Sequence, residues 1–128
     1  MRDLVKAMKA LSDETRLRML NLCLERECCV CEVMQVLGIS QSTASRGLGA
    51  LYDAGFLKQR REGTWTFYSI AKDISQYYSE MVEAMREALE GNKLAEADRE
   101  RLRQVGPVGP HCAEQLPVRI EFLSDVAE

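Results

Sequence analysis

Apolar residues at Leu4, Val5, Met8 and Leu11 follow the three-and-four spacing of a helix face and predict a short first helix over residues 2–10. Ser12 then offers an N-cap, with Asp13 and Glu14 in the first turn, where a helix's positive end favours carboxylates. A second helix is therefore predicted from there to about residue 24, with Leu17, Leu20 and Leu24 inward and Cys23 packed beside them. Residues 30–37 are apolar with helical period and stop at Gly38, which suits the left-handed turn that closes a helix. Ser40 caps a further helix from Gln41 to Gly55, whose buried stripe is Ala44, Leu48, Leu51 and Tyr52. Its other face is Gln41, Ser42, Thr43, Ser45 and Arg46.

After Gly55 the period changes to two. Residues 56–61 and 64–70, the latter rich in Thr, Trp, Phe and Tyr, flank Glu62-Gly63 and predict a β-hairpin. A longer helix is predicted over residues 73–89, with Ile74, Tyr78, Met81, Val82, Met85 and Leu89 on one stripe and Gly91 closing it. A charged segment from about 94 to 104 suits a short last helix, and the run Gly106-Pro107-Val108-Gly109-Pro110 breaks regular structure ahead of a tail. The resulting class is α+β, mainly α: a winged helix-turn-helix with a β-hairpin wing and N- and C-terminal helices. Residues 1–91 form the DNA-binding and dimerisation domain, and residues 92–128 a C-terminal extension.

A short apolar helix, a tight turn and a second helix with exposed hydrogen-bonding side chains is the order that reads DNA. Gln41, Ser42, Thr43, Ser45 and Arg46 are placed nearest base edges and phosphates, and Lys58, Arg60 and Arg61 of the hairpin along the backbone. The net charge of −3 would speak mildly against this until it is divided along the chain. Residues 1–75 hold eleven Lys and Arg against nine Asp and Glu, and residues 76–128 hold six against eleven, so basic charge gathers in the reading half. No signal-type leader and no membrane-length apolar run is seen, so a cytoplasmic protein without a membrane partner is expected.

Five cysteines, three of them at Cys28, Cys29 and Cys31, do not suit a disulfide framework and point to reduced thiols that bind soft ions. No enzyme is expected, since Cys28 and Cys31 have a redox spacing only formally and precede a helix-turn-helix instead of a βαβ unit. On an ideal helix Cys29 and Cys31 would lie roughly 160° apart, so one helix cannot present all three sulfurs. Either the chain at Cys28 and Cys29 is not helical, or ion binding unwinds the first turn. Cys112, beyond the Gly/Pro-rich stretch, is a further candidate ligand. His111 is the only histidine, which disfavours an imidazole-rich zinc site.

Residues 4 to about 90 resemble the arsenic-repressor (ArsR/SmtB) family of winged-helix metalloregulators. The stretches that carry the resemblance are Leu11-Ser12-Asp13-Glu14-Thr15-Arg16-Leu17-Arg18-Met19-Leu20, Glu27-Cys28-Cys29-Val30-Cys31-Glu32-Val33, Ser40-Gln41-Ser42-Thr43-Ala44-Ser45-Arg46 and Arg60-Arg61-Glu62-Gly63. The resemblance implies a homodimeric repressor of a resistance operon, with the N- and C-terminal helices as dimerisation helices and Leu4, Met8, Tyr78, Met81, Val82, Met85 and Leu89 in the dimer interface. It also implies an inducer, trivalent arsenic or antimony, held by three thiolates and lowering affinity for operator DNA. Cys29 and Cys31 align with the family's thiol box, whose third cysteine falls on Met34, and Gly47 stands where relatives commonly have His. Cys28 or Cys112 would then supply the third sulfur. A cadmium- or lead-responsive repressor of the same family, or a thiol redox or persulfide sensor, is the alternative.

Overall fold

The fold was obtained as a computed structural model, which describes residues 1–106; Cys112, His111 and the rest of the tail lie outside the described residues. Its elements are α1 (Arg2–Leu11), α2 (Glu14–Glu25), β1 (Cys28–Cys29), α3 (Val30–Leu37), α4 (Gln41–Asp53), β2 (Leu57–Glu62), β3 (Trp65–Ile70), α5 (Gln76–Leu89) and α6 (Lys93–Val105). The mainly helical winged helix expected from the sequence is the observed architecture.

Local chemistry sets most boundaries. Gly38 closes α3 with φ 67°, and the Ser40 hydroxyl accepts from the Thr43 N–H at 3.1 Å to start α4. Ser12, expected to cap α2, instead ends α1: its hydroxyl donates to the Met8 and Lys9 carbonyls at 3.0 and 3.2 Å. Asp13 is the cap, accepting from the Arg16 N–H at 2.9 Å, because a carboxylate is the stronger acceptor for that donor. The long helix begins at Gln76 after Ser75 and not at residue 73.

The hairpin pairs β2 with β3 from Leu57↔Ile70 to Glu62↔Trp65. A strand not expected from the sequence, β1, joins on the other side of β3 with Cys28↔Tyr68 and Cys29↔Phe67, giving the antiparallel order β1-β3-β2. Met19, Leu20, Leu22, Val33, Val36, Leu48, Leu51 and Phe56 are fully buried in the core between α2, α3, α4 and the sheet. Gly47 makes room there for Met19: a Cβ would come within 2.5 Å of the Met19 sulfur and methyl, so a larger residue would force the end of that side chain to shift.

The charged segment near the end of the described chain is integral to the fold. Asp98, Arg101 and Leu102 of α6 are buried. Arg18 of α2 holds Asp98 through Nε and Nη2 at 2.8 and 3.0 Å, Arg101 pairs with the same carboxylate, and Arg101 Nε donates to the Val36 carbonyl of α3 at 3.2 Å. Asn21 adds a bond to the Ala95 carbonyl at 3.0 Å. The buried Arg101 guanidinium reaches both Asp98 and the Val36 carbonyl only when α6 is packed on α3, and Arg18 ties α2 to the same carboxylate, which makes α6 a brace on α3.

Candidate thiolate centre and nucleic-acid interface

The strand β1 forms because α2 ends at Arg26 in an extended conformation, φ −169° and ψ 171°. Arg26 is fixed by bonds to the Glu27 and Leu102 carbonyls at 3.0 and 3.4 Å and by an ion pair with Glu32 at 3.3 Å. Alternation along a strand then sends neighbouring side chains to opposite faces. Cys28 points inward, its sulfur against the Arg26 and Leu22 carbonyls at 3.3 and 3.8 Å, within the main core that also holds Cys23. Cys29 points outward into a small separate cluster with Phe67, against which Cys31 and Trp65 pack. The sulfur triplet is thus divided: Cys29 and Cys31 come together, Cys28 turns away from them, and the non-helical alternative for Cys28 and Cys29 holds.

Cys29 is also the N-cap of α3. Its backbone N–H donates to Glu32 Oε1 at 2.8 Å. Burial pushes the Cys29 thiol up to about 11, outweighing the Glu32 backbone N–H that favours the thiolate. The Cys28 thiol is pushed well above the ordinary thiol value by its hydrogen bond with Cys23 and then by burial. Cys23, Cys28 and Cys29 are free thiols, whereas Cys31 is disulfide-bonded. Among the described residues no three metal-ligating side chains converge. With the Cys31 disulfide reduced, Cys29 and Cys31 would offer two soft donors to one cluster, part of a thiophilic site whose third donor must come from elsewhere.

On α4 the side chains of Gln41, Ser42, Ser45 and Arg46 are exposed and Thr43 is half-buried. Thr43 and Arg46 also line, with Thr15 and Arg16 at the start of α2, a cleft of about 350 Å³ beside the exposed face. On the hairpin, Lys58 and Arg61 are exposed. Arg60 is also solvent-facing but engaged: it meets Glu27 through Nη2 and Nε at 2.8 and 3.2 Å, meets Glu62 at 2.8 Å, and lies 4.4 Å over the Phe67 ring. The Arg60 guanidinium holds the Glu27 carboxyl below its ordinary value. Phe67 and Trp65 were not singled out from the sequence, and Glu27 was given no role; its placement two residues before Cys29 was the available signal.

Of the residues assigned to a dimer interface, Leu4 and Met8 are exposed on α1, together with Val5. On α5, Tyr78, Met81 and Met85 rest partly buried on the core, Val82 is buried and Leu89 is half-buried.

Known proteins share this arrangement. The pattern described as bacterial regulatory protein, arsR family, matches residues 13–59. The arsenic resistance transcriptional regulator ArsR2 of Pseudomonas putida is 40% identical over 81 residues, covering 62% of this chain and 70% of that protein. The chain belongs to the ArsR family of bacterial regulatory proteins. ArsR1 of the same organism is also 40% identical over 81 residues, 62% of this chain and 63% of ArsR1. A cadmium resistance transcriptional regulatory protein CadC homolog of Staphylococcus aureus is 44% identical over 69 residues, 53% of this chain and 57% of that one. The chain therefore spans just under two thirds of ArsR1 and less of the CadC homolog.

Among solved structures, the homodimeric winged helix-turn-helix DNA-binding domain Mb0332 of Mycobacterium bovis superposes with a TM-score of 0.59 at 28% identity, covering 70% of this chain and 80% of that one. The transcriptional repressor BigR of Xylella fastidiosa gives 0.58 at 28% identity, covering 70% and 86%. As a member of the ArsR family the chain carries the winged-helix fold of bacterial regulatory proteins. Among the described residues no helix is long and apolar enough to cross a membrane.

Proposed function

We propose that the chain is a repressor that binds operator DNA as a homodimer and is released when trivalent arsenic or antimony is held by cysteine thiolates. The observation that carries this is the shared cluster of Cys29 and Cys31 at the start of α3, the first helix of the helix-turn-helix. Trivalent metalloids take sulfur donors, and a site at this junction acts on the element that supports the recognition helix. Cys28 faces the opposite side of β1, so Cys112 is proposed as the third donor, with Cys28 the alternative if β1 is remodelled. To take DNA from mostly bound to mostly free, the ion must favour the weak-binding state by roughly 5 kcal/mol. Leu4, Val5 and Met8 of α1, with the α5 stripe of Tyr78, Met81, Val82, Met85 and Leu89, are the proposed dimer surface, and Gln41, Ser42, Thr43, Ser45, Arg46, Lys58 and Arg61 the proposed DNA-facing residues.

The test uses full-length protein reduced with a phosphine and a fluorescent duplex selected from random-sequence DNA by repeated binding. Anisotropy is followed against arsenite, antimonite, cadmium, lead and zinc. Release by arsenite and antimonite at micromolar concentration is expected. Release only by cadmium or lead, as the likeness to the cadmium resistance regulator would have it, overturns the metalloid assignment. A second reading, a thiol redox regulator, has one observation behind it, the disulfide at Cys31. Release by a peroxide, reversed by reductant and indifferent to arsenite, would establish it.

A further inference from the structure

One ladder row runs across the outer face of the sheet, from Cys29 of β1 through Phe67 of β3 to Arg60 of β2. The row ends in a clamp. Arg60 stacks on Phe67 and turns back along the sheet to Glu27, which precedes Cys29 by two residues, with a two-point contact at 2.8 and 3.2 Å. Glu62, at the end of the same strand, takes the remaining side of the guanidinium.

We propose that the Glu27–Arg60 pair is a latch that fixes the wing to the thiolate strand, making Arg60 a positioning residue of the wing and not a contact to DNA. The inference rests on the thiolate reading of Cys29 and Cys31. An exposed ion pair by itself contributes little, but a fork-to-carboxylate geometry combined with an aromatic face fixes direction. Direction matters here because β1 has only two residues and two register pairs with β3, which is a weak tie for a hairpin. Drawing Cys29 and Cys31 onto one ion displaces Cys29 from Phe67 and carries Glu27 with it. The wing then loses both its β1 rungs and its Arg60 anchor, and Lys58 and Arg61 are no longer held in register with α4. Sulfur chemistry at the strand is thereby converted into loss of phosphate contacts at the hairpin.

The test compares Glu27→Gln, Arg60→Gln, the double variant and the charge-exchanged Glu27→Arg/Arg60→Glu in full-length reduced protein. DNA affinity is measured across a salt series, with and without arsenite. Arsenite binding is read separately by the emission of Trp65, the single tryptophan, which packs on the Cys29 cluster, and by loss of titratable thiols. Glu27→Gln is expected to keep arsenite binding, to weaken DNA binding about fivefold without arsenite, and to shrink the further loss caused by arsenite by a similar factor. The double variant should be no weaker than either single one, and the exchanged pair should recover part of the affinity. Because the variants keep the β1 rungs and loosen only the free wing, Lys58 and Arg61 still reach the phosphates once DNA is bound. Without arsenite, none of the four should therefore change the slope of log affinity against log salt, whereas losing a direct phosphate contact lowers that slope by about 1.

A slope lowered by Arg60→Gln, with Glu27→Gln behaving as wild type, overturns the latch and returns Arg60 to the DNA interface. An unchanged arsenite response in Glu27→Gln, with arsenite still bound, overturns it too. Absence of any arsenite effect on Trp65 emission or thiol count in the wild type sinks the thiolate reading instead. In that event the latch is still decided by whether the two substitutions are coupled in metalloid-free DNA affinity.

Discussion

The two sides of the β1–α3 segment are built for different work. Inward, Cys28 sits with Cys23 against the Leu22 and Arg26 carbonyls, and the far end of α3 is held by Arg101 at the Val36 carbonyl. Outward, Cys29, Cys31, Phe67 and Trp65 form a satellite cluster of their own, tied to the wing by an exposed ion pair. Buried charges on one side have no cheap alternative arrangement, while the contacts on the other can be exchanged for ion–sulfur bonds. The difference teaches that a cysteine's neighbour in sequence is not its neighbour in chemistry, and that α3 is anchored on the side away from the thiolate pair.

The hardest way to break that comparison is to attack the inner side. Asp98→Ala removes the buried carboxylate that Arg101 and Arg18 share, and a loss of about 3–5 kcal/mol is expected in urea unfolding followed by circular dichroism. Arsenite affinity of the molecules that remain folded should be unaltered. A loss under about 1 kcal/mol would mean that α6 is an ornament on α3 and not its brace.

The outer side is tested by its sulfurs. Cys29→Ser or Cys31→Ser should raise the arsenite concentration for half-release of DNA by about a hundredfold or more, on the scale of a lost strong coupling, and leave metalloid-free DNA affinity within about threefold. Cys28→Ser should do the reverse, costing about 1 kcal/mol of stability by replacing a buried sulfur with a smaller, more strongly hydrated hydroxyl and leaving the response intact. Equal loss of response in all three would show that the strand is remodelled on binding and that the inward orientation of Cys28 is not kept.

Much of this was legible along the chain where the determinants are local. Gly38, Ser40 and Gly63 act within their own turns, so α3, α4 and the hairpin fall where spacing and capping place them. Features set by tertiary contact were not. β1 is two residues long, too short to show a period, and exists because Tyr68 and Phe67 pair with it from some forty residues away. Asp98 and Arg101 look like a solvated helix face until Arg18 is found beside them, and Glu27 and Arg60 are separated by 33 positions. The thiol pair was half legible: alignment selected Cys29 and Cys31, whereas the opposite facing of Cys28 follows only from knowing that the segment is a strand.

The smallest expected effect is the most selective for the ion. Cys29, held up to about 11 by burial, keeps its proton throughout the neutral range. A thiol value raised in the folded state means that stability from this group is full below the ordinary thiol range, near 9, and is lost as pH rises from there toward 11. Between pH 6 and 8 nothing at Cys29 titrates. Neutral arsenious acid exchanging its three hydroxyls for three protonated thiols forms three arsenic–sulfur bonds and three waters, with no net proton released. The half-release concentration for arsenite should therefore change less than about twofold across that range, while cadmium, which must displace a proton from each thiol, should gain about tenfold per pH unit per proton. Flat arsenite titrations beside steep cadmium ones would tie the response to protonated outer-face thiols; a steep arsenite curve would mean that the responding sulfurs are already thiolates and that Cys29, as the structure holds it, is not among them.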